Sequence, residues 1–222
     1  MSKQRKISPL MGLEIEKSGQ SNIVTLLFSG GKDSVFLAYH LLSRGYKVNA
    51  IHYTYNHPAK GAEAVACVHI DRILKIYFPD LWHMRVVGLT DAIDASSMWI
   101  GEGSEGSRVV HNRNAIFLNV AIPIAISQGS KLIVFGAVQD DDTDYPDCRP
   151  AFVDVMNQYA YEYFGLNIRA PLLRHCKSEL DVSIIPNEIQ SLISSCYQPK
   201  RTDKGYSACG KCNSCQSNNI QN

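Results

Sequence analysis

The 222-residue chain carries 22 Lys and Arg against 21 Asp and Glu, with 45% hydrophobic and 19% charged residues. So even a balance argues against a general nucleic-acid binder, which shows a basic excess, yet leaves room for a small anionic substrate held by a few placed cations. No run approaches the roughly 20 apolar residues needed to span a bilayer. Lys3, Arg5 and Lys6 are followed by no apolar stretch of a secretory signal, so a cytoplasmic protein is expected.

Residues 1–20 are polar and without period, and read as a tail or an edge extension. Ile-Val-Thr-Leu-Leu-Phe at 23–28 is a short β-rich apolar run, as expected of a strand buried on both faces. Ser29-Gly30-Gly31-Lys32-Asp33-Ser34 interrupts it, and Val35, Leu37, Ala38, Leu41 and Leu42 follow at helical spacing. Strands are predicted at 47–53 and 81–87, with a helix between them at 61–76. From 88 to 112 the period is lost and Gly101, Gly103 and Gly106 enter; a connection that long within a domain reads as a functional loop, here as a lid. A helix at 113–128 containing Pro123, a strand at 132–135, a polar loop at 138–149, a helix at 150–164 opened by Pro150 and a short strand at 167–171 complete the alternation. This pattern predicts an α/β fold with a doubly wound parallel sheet, whose strand order periodicity does not reveal.

The hexapeptide at 29–34 is built for an anion. Its glycines allow a tight turn with backbone N–H groups facing inward, the following helix adds its positive end, and Ser29 and Ser34 add hydroxyls. Lys32 offers a charge, and Asp33 a carboxylate for Mg²⁺ on the phosphates. It is not a Walker A loop, because Asp follows Gly-Lys and the upstream glycine is missing; nor is it the Gly-x-Gly-x-x-Gly fingerprint. It resembles the Ser-Gly-Gly-x-Asp-Ser loop of the PP-loop ATP pyrophosphatases, whose members bind ATP and cleave between its α- and β-phosphates.

Four of the seven cysteines crowd the last 27 residues. Cys209-x-x-Cys212-x-x-Cys215 forms one tight knuckle, with Cys196 thirteen residues upstream across a polar loop. Four thiolates make the closed tetrahedral shell of a structural Zn²⁺ site; an iron–sulfur cluster or disulfides are the other readings. Cys67 and Cys176 read as ordinary thiols. The chain thus divides into 1–20, an ATP-binding domain at 21–190 and a zinc-binding segment at 191–222.

Several segments, in order, resemble the 7-cyano-7-deazaguanine synthase family: 29–34; Arg113-Asn114-x-Ile116-Phe117-Leu118; Gly136 and then Tyr145-Pro146-Asp147-Cys148-Arg149-Pro150-x-Phe152; Ala170-Pro171-Leu172 with Lys177; and Cys196-Tyr197 with the knuckle. The resemblance implies a nitrile-forming ligase that takes a small-molecule deazaguanine carboxylate, ATP and ammonia, acts as a homodimer and needs neither membrane nor nucleic acid. It implies catalytic roles for Asp33, Ser34, Arg113, Arg149 and Lys177, and substrate contacts from Arg113, Asn114, Asp140, Asp141, Tyr145, Asp147 and Arg149. The chemistry agrees: guanidinium groups clamp carboxylate or phosphate, and carboxylates suit the N–H edge of a guanine-like base. Cys148, within the motif, reads as packing rather than as a nucleophile.

Tyr55-Asn56-His57-Pro58-Ala59-Lys60 departs from the family's Tyr-Gly-Gln-Arg-His-like stretch, and the segment between Lys177 and Cys196 is short. An enzyme adenylating a different carboxylate, a PP-loop enzyme acting on tRNA and a non-catalytic binding module therefore stand as alternatives. The charge balance weighs against the second and the intact loop against the third.

Overall fold

A computed structural model describes residues 22–93, 110, 112–139 and 145–217. The predicted tail, most of the glycine-rich lid (94–109 and 111), Asp140 and Asp141 lie outside the described residues.

The elements follow the predicted alternation with boundaries shifted by up to three residues, the largest shift being the start of α1 within the predicted loop. They are β1 (Ile23–Leu27), α1 (Lys32–Ser43), β2 (Lys47–Thr54), α2 (Lys60–Tyr77), β3 (Trp82–Gly88), α3 (Arg113–Ser127), β4 (Leu132–Val134), α4 (Pro150–Phe164) and β5 (Asn167–Arg169). Pro150 opens α4 as expected, and Gly165 closes it in the left-handed region at φ 60°. α3 runs on through Pro123. The stretch left unassigned after β5 holds two single 3₁₀ turns and the short α5 (Asn187–Gln190). The polar loop expected between Cys196 and Cys209 is instead a small antiparallel hairpin, β6 (Lys200–Thr202) and β7 (Gly205–Ser207), followed by α6 (Asn213–Ser217).

All five main strands are parallel, in the order β3-β2-β1-β4-β5. The two-residue alternation of the strands distributes the core to both faces. Val24, Leu26 and Phe28 pack with α1 and α2, joined by Val134, Leu180 and Ile189. Leu27, Ile51 and Ile133 pack with α3 and α4. The sheet is therefore covered on both sides, which is why its strands read as continuous apolar runs. Leu192 and Ile193 still pack against the α1–α2 core, so the chain reaches the cysteine segment while held on the domain. Among the described residues no helix is long and apolar enough to cross a membrane.

The connection after β1 leads to β2 on one side, while β4 lies on the other. Chain direction diverges there, and the carboxyl ends of β1 and β4 frame a crevice, the usual ligand position in such sheets.

Candidate active site

The crevice holds a cavity of about 210 Å³, walled by the 29–34 loop, the ends of β1, β2 and β4, and the start of α3. Gly30 turns the loop at φ 74°, and a Cβ there would stand 3.1 Å from Cys67 Sγ beneath it. Glycine is required on both counts. Ser34 Oγ donates to Gly31 O at 3.0 Å and lies 3.3 Å from Ser29 Oγ, so the hydroxyls close the loop on itself. His52 and Cys67 support it from below: His52 Nδ1 lies 3.1 Å from Phe28 O and 3.3 Å from Cys67 Sγ. Burial pushes the Cys67 thiol far up and the His52 imidazole down, so both are neutral packing groups.

Gly136, after β4, passes over the loop so closely that a Cβ would stand 3.1 Å from Asp33 Cβ. Ser29, Gly31, Asp33 and Ser34 line the cavity. Lys32 does not: its Nζ donates to Lys177 O at 2.7 Å, tying α1 to the segment after β5. Lys177, buried and lining the cavity, brings a cation to the wall where Lys32 was expected to.

At the far wall α3 begins with Asn112, the one non-glycine residue at positive φ (62°) among the described residues, a conformation asparagine tolerates. That turn delivers Arg113 and Asn114 to the cavity. Arg113 Nη1 donates to Tyr55 Oη at 3.3 Å, and its buried Nε has no protein partner. Burial works against the Arg113 charge, but Tyr55 and Asp147 more than offset it, so the guanidinium is held firmly protonated.

Asp147 is engaged in the fold. Its Oδ2 accepts the Asn114 N–H at 2.8 Å, capping α3 from the 3₁₀ turn Pro146–Cys148, while Asn114 Nδ2 donates to Asp147 O at 3.0 Å and to Cys148 Sγ at 3.4 Å. The Tyr-Pro-Asp-Cys-Arg-Pro motif thus docks on α3 and presents Cys148 to the cavity. Tyr145 packs at the edge of the α3–α4 core, and Arg149 is exposed at the N-cap of α4; neither lines the cavity.

Sequence reasoning missed Glu63, which lines the cavity from α2 as one carboxylate in an ordinary helix pattern. Its Oε2 lies 3.6 Å from His57 Nε2, and its side chain is 24% exposed. Burial raises the Glu63 carboxyl to about 7, opposed by Arg113. Burial lowers His57 to about 4, aided by Arg113 and Lys60, so His57 is neutral near pH 7 and the contact is no ion pair there. Because the folded state holds a proton on Glu63 that the unfolded chain releases, this group costs stability as pH climbs from about 4.5 to about 7. Glu63→Gln removes that cost. Its stability advantage over wild type is expected to be about 2 kcal/mol larger near pH 8.5 than near pH 5.5. Urea unfolding at the two pH values measures it, and an equal difference at both would show that Glu63 is ionised throughout.

The cysteine segment forms the remaining wall. Ser194, Ser195, Tyr197 and Ser214 all line the cavity; Tyr197 stood in a family segment, but no pattern in the polar tail had singled out the three serines. The sulfurs of Cys196, Cys209, Cys212 and Cys215 lie within 4.8 Å of one another and are buried. The 3.9 Å between Cys209 and Cys215 and the 4.0 Å between Cys196 and Cys212 lie close to the edge of about 3.8 Å that follows from metal–sulfur bonds of roughly 2.3 Å in a tetrahedron, while Cys212 and Cys215 are closer, at 3.4 Å. Four sulfurs this close form a shell of the right size for one metal ion. Gly210 turns the knuckle at φ 70°, so that the N–H groups of Lys211 and Cys212 reach Cys209 Sγ at 3.5 and 3.3 Å. Burial alone would push the Cys209 thiol up, but those N–H groups bring it down to about 6. Burial pushes Cys215, beside Cys212, up to about 12. One ready thiolate among reluctant neighbours is a donor set that a cation completes. The hairpin above extends to α2, where Tyr206 stands over Gly61 and leaves no room for a Cβ.

Comparison with known proteins agrees with this geometry. Residues 23–219 match the family described as Queuosine biosynthesis protein QueC. The chain is 31% identical over 201 residues to a 7-cyano-7-deazaguanine synthase of Pseudoalteromonas atlantica, spanning 87% of this chain and 90% of that protein. It is 33% identical over 202 residues to one of Hahella chejuensis, spanning 87% and 85%. Among solved structures, the U34-tRNA thiolase NcsA from Methanococcus maripaludis superposes with a TM-score of 0.50 at 17% identity, over 78% of this chain and 58% of that one, a likeness of fold. With nearly the whole described chain inside the match, this protein belongs to the QueC family and is an enzyme of that family.

Proposed function

We propose that the chain is an ATP-dependent ligase that converts 7-carboxy-7-deazaguanine and ammonia to 7-cyano-7-deazaguanine. The relatives' names supply the product, and the carboxylate and ammonia follow from the family resemblance. The observation that carries the reading is that one cavity is walled both by the 29–34 loop and by Arg113 and Asn114. A phosphate site and a carboxylate clamp face each other, as adenylation requires.

A carboxylate oxygen attacks the α-phosphorus of ATP, pyrophosphate leaves, and the acyl-adenylate forms. Ammonia attacks the acyl carbon, and AMP leaves with a proton lost, giving the amide. The amide oxygen is adenylated by a second ATP; loss of AMP and of the remaining N–H protons gives the nitrile. Ser29, Lys177 and the α1 N–H groups beyond Lys32 would hold the phosphates, Ser34 would order the loop through its bond to Gly31 O, and Asp33 would hold Mg²⁺, which would supply charge neutralisation there. Arg113, with its buried Nε directed to no protein group, clamps the carboxylate. Zn²⁺ on the four thiolates supplies a structural crosslink. Asp140 and Asp141 remain assigned to the base edge, and a homodimer is the working assembly.

The test is pyrophosphate release with 7-carboxy-7-deazaguanine and ammonium as the added substrates. Two pyrophosphates per nitrile are expected. Release that ignores the carboxylate, or that prefers another, would sink the assignment. Arg113→Ala is expected to lower turnover with the carboxylate by about ten- to a hundredfold while ATP affinity holds, the worth of a charge-assisted contact of roughly 1.5–3 kcal/mol. Arg149→Ala, run beside it, decides the clamp: a large loss there with Arg113→Ala unaffected would transfer the role to Arg149.

A further inference from the structure

α1 begins without a cap of its own. Its N-cap is Gly31, which has no side chain to offer, and the N–H of Lys32, first in the helix, would be left for solvent. Ser195 Oγ accepts it at 3.0 Å, from 163 residues further along the chain. One residue earlier, Ser194 N–H donates to Gly30 O at 3.0 Å. The residue after Ser195 is Cys196, a member of the four-thiol cluster. Ser214, between Cys212 and Cys215, lines the same cavity and is buried.

Each of these contacts fixes a different part of the loop. Ser194 holds the carbonyl of Gly30, the glycine whose left-handed turn reverses the chain between β1 and α1. Ser195 holds the helix start, and its hydroxyl lies among the groups that line the cavity. A hydroxyl accepts and donates at once, so an oxygen that takes the Lys32 N–H can still turn its own hydrogen toward a phosphate oxygen. Ser195 is also one bond-chain from a sulfur whose position depends on a four-ligand shell. A displacement at the thiols is therefore transmitted to the loop through one residue.

We propose that Ser195 is a phosphate-binding residue of the ATP site, delivered from the far end of the same chain by the segment that leads into the four-thiol cluster, and that the loop is complete only when the four thiols hold their metal. This rests on the reading of the 29–34 loop as the ATP site. The cysteine segment is then a working wall of the active site, and metal occupancy sets ATP affinity.

The test measures ATP binding by calorimetry on the full chain, beside steady-state kinetics and metal content. Ser195→Ala is expected to weaken ATP binding about ten- to a hundredfold, as loss of one hydrogen bond to a charged group does, with KM for ATP rising more than kcat falls. Its metal content is expected to equal wild type. Ser195→Thr, which keeps the hydroxyl, is expected to restore most of the affinity. Wild-type protein stripped by a chelator is expected to lose ATP binding and to regain it when Zn²⁺ alone is returned. If wild type binds ATP while Ser195→Ala, with its metal retained, binds equally well, the proposal is overturned and the ATP reading stands. If stripped and loaded protein bind ATP alike, the coupling to the metal is overturned. Absence of ATP binding to the wild type itself would overturn both readings.

Discussion

Asp33→Asn is expected to lower pyrophosphate release by about a hundredfold or more while leaving the fold and the melting temperature close to wild type. Asp33 is the second residue of α1 and lines the cavity where the loop after β1 passes under Gly136. Asn keeps the size and shape, so the packing against Gly136 survives. A carboxylate in the first turn of a helix contributes only about 0.3–1 kcal/mol through the helix dipole, which bounds the stability loss. What the substitution removes is the charge proposed to hold Mg²⁺ on the phosphates. Such Lewis-acid stabilisation is worth several kcal/mol in the transition state, and each 1.36 kcal/mol is tenfold in rate. Ser34→Ala follows for a second reason: it opens the hydroxyl contacts among Ser29, Gly31 and Ser34 that close the loop. The measurement is pyrophosphate release at saturating ATP with thermal unfolding alongside. Full release by Asp33→Asn would show that this carboxylate holds no metal.

Cys212→Ser is expected to empty the metal site and to unseat the C-terminal wall, with turnover lost as completely as in Asp33→Asn but with stability falling too. About one Zn²⁺ per chain is expected in wild type purified without added metal, and close to none in the variant. The cluster has little apolar packing to hold it together: the four cysteines are its buried centre, and among the described residues the hydrophobic side chains against them are Tyr197 and Ala208. Binding free energy of a structural zinc ion is therefore folding free energy for this segment, as in small metal-stapled domains. The larger core made by the sheet and its helices does not depend on it. Thermal unfolding is accordingly expected to become biphasic or to lose its early phase, while far-UV circular dichroism keeps most of its amplitude. Iron with sulfide in the wild-type protein, or a folded, active and metal-free Cys212→Ser, would refute the zinc site.

Certain features of the chain are legible in one dimension because their physics is local. A β-rich apolar run, two glycines and a helix-spaced run suffice to announce a strand, a turn and a helix; β1 follows within a residue, while α1 begins three residues before Val35, at Lys32. The four-thiol ligand set is equally local, since three of its members lie on one knuckle and the fourth is the nearest cysteine upstream. Family membership was readable for the same reason: Ser29–Ser34, Tyr145–Pro150 and Cys209–Cys215 are contiguous words. The tertiary structure decided everything that depends on which distant groups meet. The strand order places β4 beside β1, and so brings Gly136 over Asp33. It turns Asp147 into the cap of α3 and ties Lys32 to the carbonyl of Lys177, leaving Lys177 at the cavity wall. It carries Glu63 in from an unremarkable helix, and Ser195 across 163 residues to the start of α1. Periodicity reports how deeply a residue is buried but not against what, because the partner of a long-range contact is chosen by the packing of the whole sheet and its helices rather than by neighbours in the chain.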